Sequence, residues 1–104
     1  MKLLTKELYK DLCKSQSQTK DPLVKAHWFN PVGRGDWFGI EMDDSNETIV
    51  FGYVSLFGDH NDELGDFSLE ELGSIRFPFG MGIERDLHWS PKRLSEVKAE
   101  YTKG

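Results

Sequence analysis

A single cysteine, Cys13, is all the chain has, so no internal disulfide can form and a disulfide-stapled secreted scaffold is excluded. A bland reading of Cys13 is a half-buried helix residue, because a nucleophilic thiol wants an activating cation or base beside it. No apolar run approaches the ~20 residues that a membrane helix needs. MKLL leads at once into TKELYKDL rather than into an apolar signal core, and the expectation is a soluble protein of a reducing cytoplasm. Neither a P-loop nor a three-glycine dinucleotide loop is present, which removes the best-marked nucleotide sites. Ser55, Ser68 and Ser90 lack a Gly-x-Ser-x-Gly setting, so a serine hydrolase elbow is absent too. Repeats and low-complexity tracts are also missing.

Positive charge is missing from the middle of the chain. Between Arg34 and Arg76 there is no Lys or Arg, while the 41 residues 35–75 hold 11 acids: Asp36, Glu41, Asp43, Asp44, Glu47, Asp59, Asp62, Glu63, Asp66, Glu70 and Glu71. The rest of the sequence carries all 13 basic residues against the other 7 acids. A face of one sign focuses potential and speeds encounter with an opposite surface. The same acids would serve solubility alone.

What is present suffices for one core: 104 residues with 38% hydrophobic content, three Trp, three Tyr and seven Phe predict a single domain over residues 1–104. Thr5 can cap a helix whose Leu4, Leu8 and Leu12 recur at four-residue spacing, widened by Tyr9 and Cys13. LVKAHWF sets Val24, Ala26 and Trp28 against Leu23, Lys25, His27 and Phe29, a half-buried strand, and NPVGRGD turns the chain. DWFGIEM follows with Phe38, Ile40 and Met42 on one face and Trp37, Gly39 and Glu41 on the other; DDSNE turns again, and TIVFGYVSLF is a ten-residue third strand. After the acidic loop GDHNDELGD, Ser68 and Glu71 have capping-box spacing ahead of a short helix stopped by Gly73. Leu94, Val97 and Tyr101 predict a last helix that frays at its end. The fold class is α+β: an antiparallel sheet made of a three-stranded meander plus a later strand, with an N-terminal helix, a short middle helix and a C-terminal helix, the helices on one face.

Chemistry concentrates in IRFPFGMGIERDLHWSPK, residues 75–92. Pro78 fixes a turn in which Gly80 and Gly82 supply positive φ. An extended IERDLHW would put Glu84, Asp86 and His88 on one face, where they could hold Mg²⁺, Mn²⁺ or Zn²⁺ for a nuclease, with His60 as a further ligand. The same alternation is what any half-solvated strand produces, and Arg85, on the apolar side with Ile83 and Leu87, would want a carboxylate partner. Lys2, Lys6, Lys10 and Lys14 could form a DNA-binding helix face or only a solvated one, and Trp37, Tyr53 and Phe57 could stack bases or pair across strands.

The segments MKLLTKEL, ELGDFSLEELGSIR and PFGMGIERDLHWSPKRLSEV, with GIERDLHW and its following PK-x-LSE the most specific, make nearly the whole chain resemble a small bacterial family of phages, plasmids and conjugative elements known by a domain-of-unknown-function label. It is similar in particular to the branch identified as type II-A anti-CRISPR proteins. The loops 43–48 and 58–63 are shorter than in the wider family. The resemblance implies a non-enzymatic Cas9 inhibitor, with Cas9 or its guide RNA complex as partner, direct nucleic-acid binding less favoured, no membrane and no cofactor. It supplies no catalytic residue. Some relatives carry a single-strand DNA endonuclease label, which keeps the metal set open. The exposed acids of the two hairpin loops, Asp43, Asp44 and Glu47 in one and Asp59, Asp62 and Glu63 in the other, are the expected partner contacts. Loops at opposite ends of a ten-residue strand would lie about 30 Å apart, so one of them should dominate.

Overall fold

A computed structural model describes residues 2–16, 19–56 and 63–101. Helix α1 (Lys6–Leu12) leads into strands β1 (Leu23–Val24), β2 (Ala26–Phe29), β3 (Asp36–Met42), β4 (Ile49–Ser55) and β5 (Glu63–Ser68). Helix α2 (Leu69–Ser74), a 3-10 turn (Pro78–Gly80), β6 (Glu84–Arg85), β7 (Lys92–Arg93) and helix α3 (Leu94–Tyr101) complete the order. The main sheet is antiparallel and five-stranded, β5-β4-β3-β2-β6; β1 and β7 form a separate two-stranded ribbon. The α+β class and the meander stand as expected, and the meander has a fourth member, β5.

Local chemistry explains the helix starts. Thr5 Oγ1 accepts from the Leu8 N–H at 3.2 Å, and Ser68 Oγ from the Glu71 N–H at 3.1 Å, each satisfying a first-turn donor that has no partner inside its helix. Gly73 lies inside α2 rather than ending it, and Ile75 is the cap. Cys13 is exposed, in the cap position after α1, because Leu12 points into the core and the next residue turns away from it.

The helices cover both faces of the sheet, not one. Leu12 of α1 and Leu69 and Leu72 of α2 pack with Ala26, Trp28, Met42, Val50 and Phe67; on the other face Leu94 and Val97 of α3 pack with Val24, Phe38, Ile40 and Tyr53. Two backbone irregularities decide which side chain goes where. The β3–β4 register shifts between Gly39 and Glu41, so Phe38 and Ile40 face α3 whereas Met42 swings to the α1 side. The expected strand 23–29 is likewise broken at Lys25: Val24 belongs to the ribbon and faces α3, while Ala26 and Trp28 face α1. Gln16 stitches this break, its amide donating to the carbonyls of Leu23 (2.9 Å) and Ile40 (3.1 Å) and accepting from the Leu23 N–H (2.7 Å).

On the α1 face three glycines lie side by side, Gly39 against Gly52 against Gly65. A Cβ on Gly39 would come within 2.8 Å of the Trp28 ring; one on Gly52 would fall 1.8 Å from the Phe38 carbonyl oxygen, while at Gly65 nothing stands within 4 Å. Trp28, fully buried, uses this shallow floor, meets Phe67 edge-on at 5.8 Å, and donates its indole N–H to the Leu3 carbonyl at 2.8 Å. Gly52→Ala is therefore expected to destabilise by about 1–3 kcal/mol or more, because a backbone oxygen cannot step aside as a side chain can. Gly65→Ala should stay within about 0.5 kcal/mol of the parent. Urea unfolding of the two variants checks this, and equal midpoints would contradict the glycine floor.

Candidate functional site

The acidic segment divides into carboxylates used by the fold and carboxylates left to solvent. Glu41 accepts from the Gln16 N–H at 2.6 Å. Asp43 is half-buried and accepts from both the Ser45 N–H and hydroxyl at 2.7 Å; the hydroxyl bond, then the N–H bond, hold its carboxyl below the usual range. Asp44 and Glu47 remain exposed in the β3–β4 turn. Glu63 is no loop residue: it is exposed in β5, opposite Val54, because the hairpin ladder continues to the strand's first residue. Asp59, Asp62 and His60 lie outside the described residues, as does Phe57.

Strand β4 has seven residues, not ten, so its two ends lie about 20 Å apart, with Asp44 and Glu47 near one and Glu63, opposite Val54, at the other; β5 runs back beside it. From Glu63 the strand passes exposed Asp66 and ends at Ser68, where α2 presents Glu70 and Glu71. These two line the same cleft as Asn46 and Thr48 of the β3–β4 turn, and the Leu69 N–H donates to the Thr48 carbonyl at 2.8 Å. An acidic border thus follows the β5 edge over about 20 Å. The aromatics proposed for stacking are unsuited to it: Tyr53 is buried beneath α3 and Trp37 packs on the α1-side core.

Residues 75–92 form no continuous strand. Phe77 N–H donates to the Met81 carbonyl (2.8 Å) across a turn in which Phe79 (φ 67°) and Gly80 (φ 73°), not Gly82, take the left-handed conformation. Phe79 is fully exposed at its tip. Ile83 enters the core and Arg85 Nε donates to the Lys2 carbonyl at 3.2 Å, but β6 stops there. Asp86 ends the extension with its own side chain: Oδ1 accepts from the His88 N–H at 3.0 Å, and the Trp89 N–H returns to the Asp86 carbonyl. Leu87 is left exposed and the alternation expected for Glu84, Asp86 and His88 is lost. Glu84 instead lines a cleft of about 530 Å³ with Arg76 and Leu3. Among the described residues no three His, Cys, Asp or Glu side chains are grouped to hold a metal ion.

Asp86 has another role, which the sequence did not announce. Its Oδ2 lies 3.1 Å from Nδ1 of His27, whose Nε2 lies 2.7 Å from Oδ1 of Asp36. The imidazole is almost fully buried, stacked on Phe38 at 4.7 Å and flanked by Trp89 and Tyr101. A neutral ring donates through one nitrogen only, so two carboxylate contacts call for a second proton on the ring or on an acid. With both nitrogens occupied, His27 offers no lone pair to a metal or a substrate, which makes the array a clasp joining β2, β3 and the turn after β6. Burial pushes the Asp86 carboxyl up, but hydrogen bonds from the His27 ring and the His88 N–H, with the charges of both imidazoles, outweigh it and hold the carboxyl below its usual range. Burial first, then the charge of Asp36, pushes the Tyr101 phenol up.

With the sheet, the clasp and the acidic edge described, the sequence match is informative. The model of the family described as "Protein of unknown function (DUF2958)" matches residues 3–102. The chain belongs to that family. No curated protein and no solved structure matches it. The match spans α1 through α3 and so takes in both the His27 clasp and the β5 edge of this DUF2958 member.

The clasp has a pH signature. Since the folded Asp86 carboxyl sits below its reference of 3.8, its contribution to stability is full above that value and is lost as pH falls through the lower folded value. Asp86→Asn is expected to cost about 1–3 kcal/mol at neutral pH and to flatten the acid limb of stability between about pH 5 and pH 2. Thermal unfolding across that range checks both; a variant matching the parent in midpoint and slope would remove the clasp from the stability argument.

Proposed function

We propose that this protein is a non-enzymatic inhibitor of type II-A Cas9, encoded on a mobile element and acting in the cytoplasm of its bacterial host. The observation that carries this reading is the acidic border along β5, α2 and the β3–β4 turn, set in 41 residues without a single Lys or Arg. Cas9 holds guide and target in positively charged channels and reads its PAM with arginines, so an acidic edge has a complementary surface to meet. The resemblance of GIERDLHW and PK-x-LSE to the anti-CRISPR branch of the family selects Cas9 among basic partners. The reading relies on binding rather than on chemistry.

The test is DNA cleavage by purified type II-A Cas9–guide complexes with the protein in excess. Cleavage should fall, and the inhibition should weaken as salt screens the opposed charges. Unchanged cleavage by every type II-A enzyme tried rejects the proposal. The same protein incubated alone with single-stranded and duplex DNA, with and without Mg²⁺, should leave both intact and unshifted. Metal-dependent loss of single strands, abolished by Asp86→Ala in a variant that still folds, would make it a nuclease, and a gel shift falling steeply with salt would make it a DNA binder. Asp44→Lys with Glu47→Lys should keep stability within about 0.5 kcal/mol while weakening inhibition. Asp43 is left in place because it holds Ser45.

A further inference from the structure

The two edges of the main sheet are finished differently. On one side β6 has two residues and ends in the Asp86 turn, too short to template another strand. On the other, β5 has six residues in unbroken register with β4, with no bulge, proline or lysine, and among the described residues no strand pairs with its outer side. Such devices blunt an open edge in many proteins, and β5 carries only the exposed carboxylates of Glu63 and Asp66 in their place. The sheet surface beside it is also bare. Register places Phe51, Leu64 and Asp66 on the face that carries Tyr53 and α3, yet α3 packs against the ribbon and the Phe38–Tyr53 side, leaving Phe51 39% and Leu64 44% exposed. Gly65, on the opposite face, has open space above it.

We propose that the outer edge of β5 receives an extended, lysine- or arginine-bearing segment of the target Cas9 as an added strand. Main-chain hydrogen bonds give such a strand its affinity and alternate side chains its specificity. A segment lying beside β5 meets Leu64 and Asp66 on one face and Glu63 and the open Gly65 on the other. The pattern that fits is therefore an apolar residue against Leu64 and Phe51, with basic residues against Asp66 and Glu63. Charge selects this occupant over a second copy of the chain. Pairing β5 with its own image would bring two edges that each carry exposed Glu63 and Asp66 together, on molecules that each carry −5, with no basic residue in either strand to offset them. The inference rests on the proposed function and names the surface and the mode of contact within it.

Hydrogen exchange of the protein, free and bound to a purified type II-A Cas9–guide complex, tests the mode. Backbone pairing should slow the amides of residues 64–68 by roughly tenfold or more, because their opening is then coupled to dissociation. Glu63→Lys with Asp66→Lys, both exposed, should leave the melting temperature unchanged and lower affinity by roughly tenfold or more. A complex that forms with β5 exchange unaltered and with the double variant binding as well as the parent overturns the added strand while leaving Cas9 inhibition standing. Failure to bind any type II-A Cas9 overturns both. Protection of β5 in the free protein, accompanied by a dimer in sedimentation, would give the edge to a second copy and overturn the proposal.

Discussion

A buried imidazole held between two carboxylates is the constraint on which the α3 side of this molecule depends. His27 sits on β2, Asp36 opens β3 and Asp86 closes β6, so a single ring fixes the spacing of three chain segments. The Asp86 N–H also donates to the His27 carbonyl at 2.8 Å, making the link both main-chain and side-chain. Trp89 follows from it: the turn that Asp86 starts carries the indole to His27 and Phe38, and its N–H reaches the Val24 carbonyl at 2.9 Å. Lys92 then lies over the indole at 4.7 Å and pairs with Glu100 of α3 at 3.1 Å. Removing an imidazole from water is costly, and two charge-assisted contacts offset much of that cost, so the clasp contributes more to a single arrangement of these segments than to net stability. No buried side-chain polar atom among the described residues lacks a partner, which is consistent with a network that had to close completely.

Much of this fold was legible because its signals are local. Helix caps at Thr5 and Ser68 and the turns at NPVGRGD and DDSNE depend on residues within a few positions of one another, and the structure keeps them. The failures have long-range causes. His27 occupies the side of its strand that alternation assigns to solvent, and its partners are 9 and 59 residues away in sequence. Strand β5 was hidden by its composition, since ELGDFS is built largely from residues depleted in strands, with only Phe67 buried; pairing to β4 overrides that preference. The shift after Gly39 reverses the facing of Met42, and a period of two has no way to register one extra residue. The candidate metal triplet failed for the opposite reason. A residue able to make its own turn, Asp86, cut short an alternation that looked regular.

The acidic segment looks uniform in sequence and is not uniform in structure. Asp36 is committed to His27, Glu41 to Gln16 and Asp43 to Ser45. What remains outward, Asp44, Glu47, Glu63, Asp66, Glu70 and Glu71, borders one side of the sheet, and at Glu47 the border meets Lys6 and Lys10 of α1 around a shared cleft. A summed charge therefore describes this protein poorly, because the fold consumes some carboxylates and concentrates others.

That concentration bears on a problem every open edge poses. An unpaired strand templates any passing strand, and most proteins answer with lysine, proline or a bulge. Carboxylates answer differently. They repel a copy of the same edge, and they repel the largely acidic surfaces that this protein's own charge would favour in an aggregate, but they leave the backbone donors and acceptors accessible to a strand of opposite charge. A lysine-blunted edge would discourage its own copies equally well and would repel a basic partner. The choice of sign on β5 is therefore selective where the choice of a bulge or a proline would be general: it protects against self-association while keeping the ladder extendable. Leu64 and Phe51 make the same point from the apolar side. Exposed hydrophobics beside an open edge invite aggregation, and a strand whose charge the edge attracts would cover these two.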